Sequence, residues 1–141
     1  MKPTEDTGST SVEVAVLTPV VLLVLALLVA GGRIVTAHAA VDTAATTAAR
    51  AASIARTAPA AQQHAATTAE AGLREHALHC AHHEVTLDSS GFDQPAGRPG
   101  TVVVHAACTV ALADLALPGM PGSIPLQAQA ASPLDPYRER P

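Results

Sequence analysis

The chain opens in one hydrophobic regime and closes in another. From Val14 to Gly32 it reads VAVLTPVVLLVLALLVAGG, a run without charge, bounded by Glu13 and Arg33. At 1.5 Å per residue such a helix extends ~28 Å, close to the ~30 Å of a bilayer's hydrocarbon core. An ionised side chain near the centre would cost about 2.5–3.5 kcal/mol on insertion scales, and the run contains none. Pro19 lies near its amino-terminal end, where a membrane helix tolerates a kink. The pattern predicts one transmembrane helix over residues 14–32.

Helical character continues past Gly32. Residues 33–56, RIVTAHAAVDTAATTAARAASIAR, hold no Gly or Pro and many Ala, the best helix former. Val35, His38, Val41, Asp42, Ala45, Ala48, Ala49 and Ala52 recur at three- and four-residue steps, as a packed helix face would. Small residues on such a face admit another backbone closely; the same spacing also suits a helix lying on its own domain. Pro59 marks the boundary, and a second helix is expected over about Ala60 to Leu78, with Gly72 weakening it by about 1 kcal/mol.

After Cys80 the period changes. Glu84 to Asp88 alternates polar and apolar, as a half-buried strand does. Residues 89–100, SSGFDQPAGRPG, are dense in turn formers. A longer Val- and Thr-rich strand is expected over Thr101 to Leu112, then a loop carrying Pro118, Gly119, Pro121, Gly122 and Pro125. Ile124 to Ala130 alternates again and supplies a third strand. The fold class is therefore α+β: a long amino-terminal transmembrane helix running on as a stem, a second helix, and a small antiparallel sheet.

Composition sharpens this. Hydrophobic residues make up 48% of the 141, yet there is one Phe, one Tyr and no Trp. Aromatic side chains carry the largest burial per residue, so a core made chiefly of Ala, Val and Leu is thin. A domain this small needs a staple, a partner or an assembly. The net charge of −4 and singly scattered arginines leave no electrostatic footprint for nucleic acid. Carboxylates are isolated, phosphate-binding and dinucleotide motifs are absent, and no catalytic constellation is visible. No cofactor is implied.

Three readings compete for the apolar run: a cleaved secretory signal, a plain anchor, and a pilin-like stem. It is longer than a signal peptide's h-region, and Lys2 before it is outweighed by Glu5, Asp6 and Glu13. Ala37-His38-Ala39 offers a small-residue cleavage site. Charge alone does not orient the helix, since Lys2 on one side faces Arg33 on the other.

Gly8 is followed by Ser9-Thr10-Ser11-Val12-Glu13 and then by the apolar run, so the carboxylate falls five places after the glycine. This arrangement resembles the processing site of type IV pilin-like precursors, cut after glycine on the cytoplasmic side. More closely, GSTSVEVAVLTPVVLLVLALLVAGGRIV resembles the TadE-like family of tight-adherence pilus systems, in particular its Ala- and Val-rich actinobacterial members. The resemblance is densest from Gly8 to Arg56 and weaker beyond. It departs from the pilin pattern at Ser9, where pilins usually carry a larger apolar residue.

The resemblance implies a cytoplasmic leader over 1–13 with processing between Gly8 and Ser9, and a transmembrane helix over 14–32. It places a stem and small domain outside the cytoplasm over 33–132, followed by an exposed tail over 133–141. It implies a structural, non-enzymatic role as a minor pilin or pseudopilin of a tight-adherence pilus or related secretion machine. The partners would be membrane lipid, other pilin-like subunits and a prepilin peptidase. Glu13 would pair with the freed amino terminus of a neighbour. Physically, a lone carboxylate at the edge of a membrane helix is a candidate functional group, or else simply marks where the helix leaves the headgroups. The competing function is an anchored or secreted envelope domain with a binding role unrelated to pili.

Cys80 and Cys108 allow one internal pairing. In an oxidising compartment a bridge closing that loop is worth about 3–4 kcal/mol; the alternative is two buried thiols acting as small apolar groups. TadE-like proteins of this type often carry a cysteine pair in similar surroundings. His76, His79, Cys80, His82 and His83 invite a metal reading, but the second cysteine is distant and a disulfide would withdraw Cys80. No metal site is assigned.

Overall fold

The computed structural model describes residues 7–95, 97–115, 119 and 121–137, with side chains from Glu13 onward. The first six residues of the expected leader, Pro118, and the residues of the expected tail beyond Tyr137 lie outside the described residues.

Helix α1 runs unbroken over Thr7–Ser53, 47 residues. Along its apolar run the helix is bare: the large apolar side chains from Val14 to Val29 are each between 49% and 67% exposed. Its second half is packed. Ala37, Ala40, Val41, Ala44, Ala45, Ala48, Ala49 and Ala52 are buried, at the three- and four-residue steps of one helix face.

This corrects the phase of the expected stripe. Val35, His38 and Asp42 turn to solvent, and Ala37, Ala40 and Ala44 take the inner positions. The stripe is also occupied: it packs on the chain's own second helix and sheet. Of the two readings of the small-residue face, the helix lying on its own domain is the one observed.

Thr57 opens α2 over Ala58–Glu75, its hydroxyl accepting from the Ala60 N–H at 3.4 Å. Pro59 stands in the first turn, where its missing N–H costs nothing. It therefore starts the second helix, while α1 has already ended at Ser53. Ala61, Ala65, Ala69 and Leu73 form the buried face of α2. A Cβ on Gly72 would lie 3.5 Å from the Ala44 backbone, which shows how closely alanine lets the two helices approach.

Helix α2 stops at Glu75, short of the expected Leu78. The Leu78 N–H donates to the Leu73 carbonyl and the Ala77 N–H to the Arg74 carbonyl, both at 3.0 Å. These are the paired bonds of a Schellman motif. They place Ala77 at φ 52°, in the left-handed region that ordinarily selects glycine.

Strands β1 (Cys80–Asp88), β2 (Gly100–Ala111) and β3 (Ser123–Leu134) form an antiparallel sheet in the order β1-β2-β3. Val102, Val104, Ala106, Cys108 and Val110 turn inward from the central strand, the period of two that a half-buried strand requires. β3 continues past the expected Ala130 because Ser132 and Leu134 still reach the core. Its two prolines, Pro125 and Pro133, are tolerated on an edge strand, where a missing N–H can face the open side.

α1 lies across β2 and β3, and α2 lies beside it over β1. The core is continuous between these layers. Its half nearer the apolar helix holds Val41, Leu73, Val110, Leu115 and Leu126; the distal half holds Val102, Val104 and Leu134 among alanines. The Ser132 hydroxyl, buried at that end, bonds the Ser53 hydroxyl at 3.1 Å and ties β3 to the end of α1.

Two short elements finish the domain. A 3-10 turn at Ser90–Asp93 presses against the start of β2, where Gly91 and Gly100 leave room for only a backbone. A single helical turn, α3 (Leu112–Leu115), inserts Leu115 under the near end of the core.

Candidate assembly interface

Among the described residues, most of the exposed large apolar side chains lie on one stretch of α1, from Val14 to Val29. A bare stretch of Val and Leu this long is not stable in water, and the window is apolar and long enough to cross a membrane. Thr18 donates to the Val14 carbonyl at 2.6 Å, and Pro19 withholds the N–H that would otherwise bond the carbonyl of residue 15. One backbone hydrogen bond is thus missing near the foot of the apolar run, within a continuous helix.

Glu13 sits at that foot. It is exposed, and with Val14, Leu17, Thr18, Val21 and Leu22 it lines a shallow apolar groove along one side of α1. Among the described residues nothing within the chain pairs with it. Gly8 and Ser9 lie in the first turns of α1; the Ser9 side chain falls outside what is described. The geometry is that of a carboxylate presented sideways on an otherwise apolar rod.

Above the bare run, the outer face of the stem is polar. His38, Asp42, Thr43, Thr46, Thr47 and Arg50 are exposed. Thr43, Thr46 and Thr47 each donate to the carbonyl four residues back, at 2.8–2.9 Å. Their hydroxyls are satisfied on their own helix, leaving this face without the apolar contacts that the lower half offers.

Cys80 and Cys108 are joined in a disulfide, so Cys80 is unavailable as a metal ligand or nucleophile. The neighbouring histidines do not converge. His79 and Cys80 have left α2, His82 faces the outer side of β1 beside Thr109, and no three His, Cys, Asp or Glu side chains come together among the described residues. The Ala37-His38-Ala39 site lies inside α1 with Ala37 in the core.

Sequence reasoning passed over the open face of the sheet. There Glu84, Ala107 and Gln127 align across the three strands, next to Thr86, His105 and Gln129. The short side chain of Ala107 leaves a shallow polar depression between them. The alternation of β1 and β3 was the signal for it, since residues facing away from a helical layer must be polar.

Residues 8–50 match the TadE-like protein family. The match runs from the glycine ahead of Glu13, through the bare apolar half of α1, to the packed stem. The sheet and α2 lie beyond it. No curated protein and no solved structure matches the chain. The TadE-like match therefore falls on the element that carries the uncovered apolar surface.

Proposed function

We propose that the chain is a structural subunit of a tight-adherence pilus or a related secretion machine, a minor pilin or pseudopilin of the Ala- and Val-rich actinobacterial kind. The observation that carries this reading is the division of α1. One continuous helix is bare and apolar over its first half, closed by a domain over its second, and similar to the TadE-like family across both. In this reading residues 14–32 cross the cell membrane, with the leader in the cytoplasm and the disulfide-bonded domain outside. A prepilin peptidase cuts between Gly8 and Ser9. Glu13 then meets the new amino terminus of a neighbouring subunit, and the bare rods pack together.

Mass spectrometry of the protein extracted from membranes tests this. An amino terminus at Ser9 supports pilin-like processing. A terminus at Ala40 would mean secretory cleavage, which removes Ala37 from the core and the membrane rod altogether. An intact Met1 would leave a plain anchor and defeat the processing claim.

A further inference from the structure

The distance between the apolar run and the first buried stem residue is short. From Gly32 to Ala37 the helix rises ~7.5 Å, about the thickness of one headgroup layer, since headgroups add roughly 5–7 Å on each side of the hydrocarbon. α1 is continuously helical across this interval, so no linker holds the domain away from the bilayer.

Two further elements meet the stem at that level. The end of α2, with His76 and Ala77, and the turn α3, with Asp114 and Leu115, border the same recess as Arg33 and Thr36. Arg33, Thr36, His76, Ala77 and Asp114 are exposed there, while Leu115 points into the core. The base of the domain is thus a mixed surface beside the helix, with Arg33 and Asp114 as its charges among Ala37, Ala77 and Leu78.

We infer that this base lies within the headgroup layer of the outer leaflet and is a lipid-contacting surface. The inference rests on the membrane reading of α1 given above. Arg33 is the first charge past the apolar run and presents a planar guanidinium at the depth of the lipid phosphates, a geometry suited to bidentate contact. His76, at the carboxyl end of α2, adds a donor at the same level, while the Thr36 hydroxyl is already given to the Arg33 carbonyl at 2.9 Å. The contact fixes how the domain stands on the membrane before any partner is engaged.

The chain has no tryptophan, so single indoles can report depth. Three variants of the full chain, Ala113→Trp and His76→Trp at the base and Ala131→Trp on the distal sheet, would be placed in phosphatidylcholine–phosphatidylglycerol vesicles. The lipids carry a nitroxide on the headgroup. Both base variants are expected to lose at least half of their emission, and Ala131→Trp to keep nearly all of it. Having two base positions on separate elements guards against one substitution disturbing the fold. Leu27→Trp with an acyl-chain nitroxide checks insertion. If Leu27→Trp is quenched and both base variants are not, the domain stands clear of the bilayer and the inference is wrong. If Leu27→Trp is itself unquenched, the membrane reading fails and takes this inference with it.

Discussion

Cys80 and Cys108 share the packed face of the sheet because β1 carries one residue more than its partner needs. The register shifts between Cys80 and His82, so that Cys80 stands opposite Val110 while His82 stands opposite Thr109. In a regular ladder Cys80 would fall one place further, opposite Ala111, and on the outer face. The bulge at Ala81 turns it inward, and the Cα atoms come within 5.3 Å, inside the range a disulfide accepts.

That bridge closes a separation of 28 residues, worth about 3–4 kcal/mol by loop-closure entropy. Small domains have only about 5–15 kcal/mol in total, and this core is mostly alanine. Cys80→Ala leaves Cys108 as a small buried apolar group and removes the cross-link. Hydrogen exchange at the Val104 amide, in the full chain in detergent micelles, should speed up by roughly two orders of magnitude or more. Unchanged protection would mean that the sheet does not depend on the bridge.

Ala77 makes the opposite prediction. Its left-handed backbone is one that glycine adopts without steric cost, and a Schellman cap with alanine at this position is strained by about 1 kcal/mol. Ala77→Gly should therefore stabilise the domain by up to ~1 kcal/mol, and Ala77→Val should destabilise it. Urea unfolding followed by exchange in β2 separates the two. A glycine variant weaker than the parent would show that the position is held for another reason.

Asp88 supplies a pH dependence. Its carboxylate accepts the Ser90 N–H at 2.9 Å, and hydrogen bonding from Ser90, with a smaller contribution from His105, holds its pKa below the ordinary aspartate value. A depressed folded pKa means that the stabilisation is present above the unfolded pKa and is lost as pH falls through the folded one. A carboxyl NMR titration should place the Asp88 inflection in the folded protein below that of the same residue in urea-unfolded protein. The Asp88→Asn variant should lose the acid-side dependence of the 90–93 turn. An inflection at or above the unfolded value would contradict the Ser90 contact.

The sequence conveyed the large periods well and the local chemistry poorly. The apolar run and the alternating strands were readable because a membrane helix and a half-buried strand each impose one spacing on the chain. The phase of the stem was not, since a helix with alanine on every side does not say which alanines are inside. The marks lay on the other face, where Asp42, Thr43, Thr46, Thr47 and Arg50 set the solvent side. Pro59 marks a boundary without saying which helix it belongs to, because a proline serves either end; the Thr57 cap decides it. Ala77 and the Ala81 bulge left no trace, because alanine carries no preference for either geometry. At the candidate interface Glu13 was conspicuous from charge alone, while the recess at the base joins three distant segments and needed the fold.

Glu13 carries the last prediction. On the proposed reading its charge is kept at the edge of the membrane because a neighbour's amino terminus answers it, since an unpaired carboxylate there is costly. Glu13→Ala should leave insertion intact or improved, because the substitution makes the helix foot more apolar. Association should suffer: disulfide-independent cross-linking between differently tagged copies in the native membrane should drop severalfold, while Glu13→Asp retains part of it. Neither substitution touches Val14, Leu17, Val21 or Leu22, the apolar residues that line the groove beside Glu13, so loss of those contacts cannot account for a difference between the variants. Equal cross-linking in all three proteins would reduce Glu13 to a boundary marker of the helix.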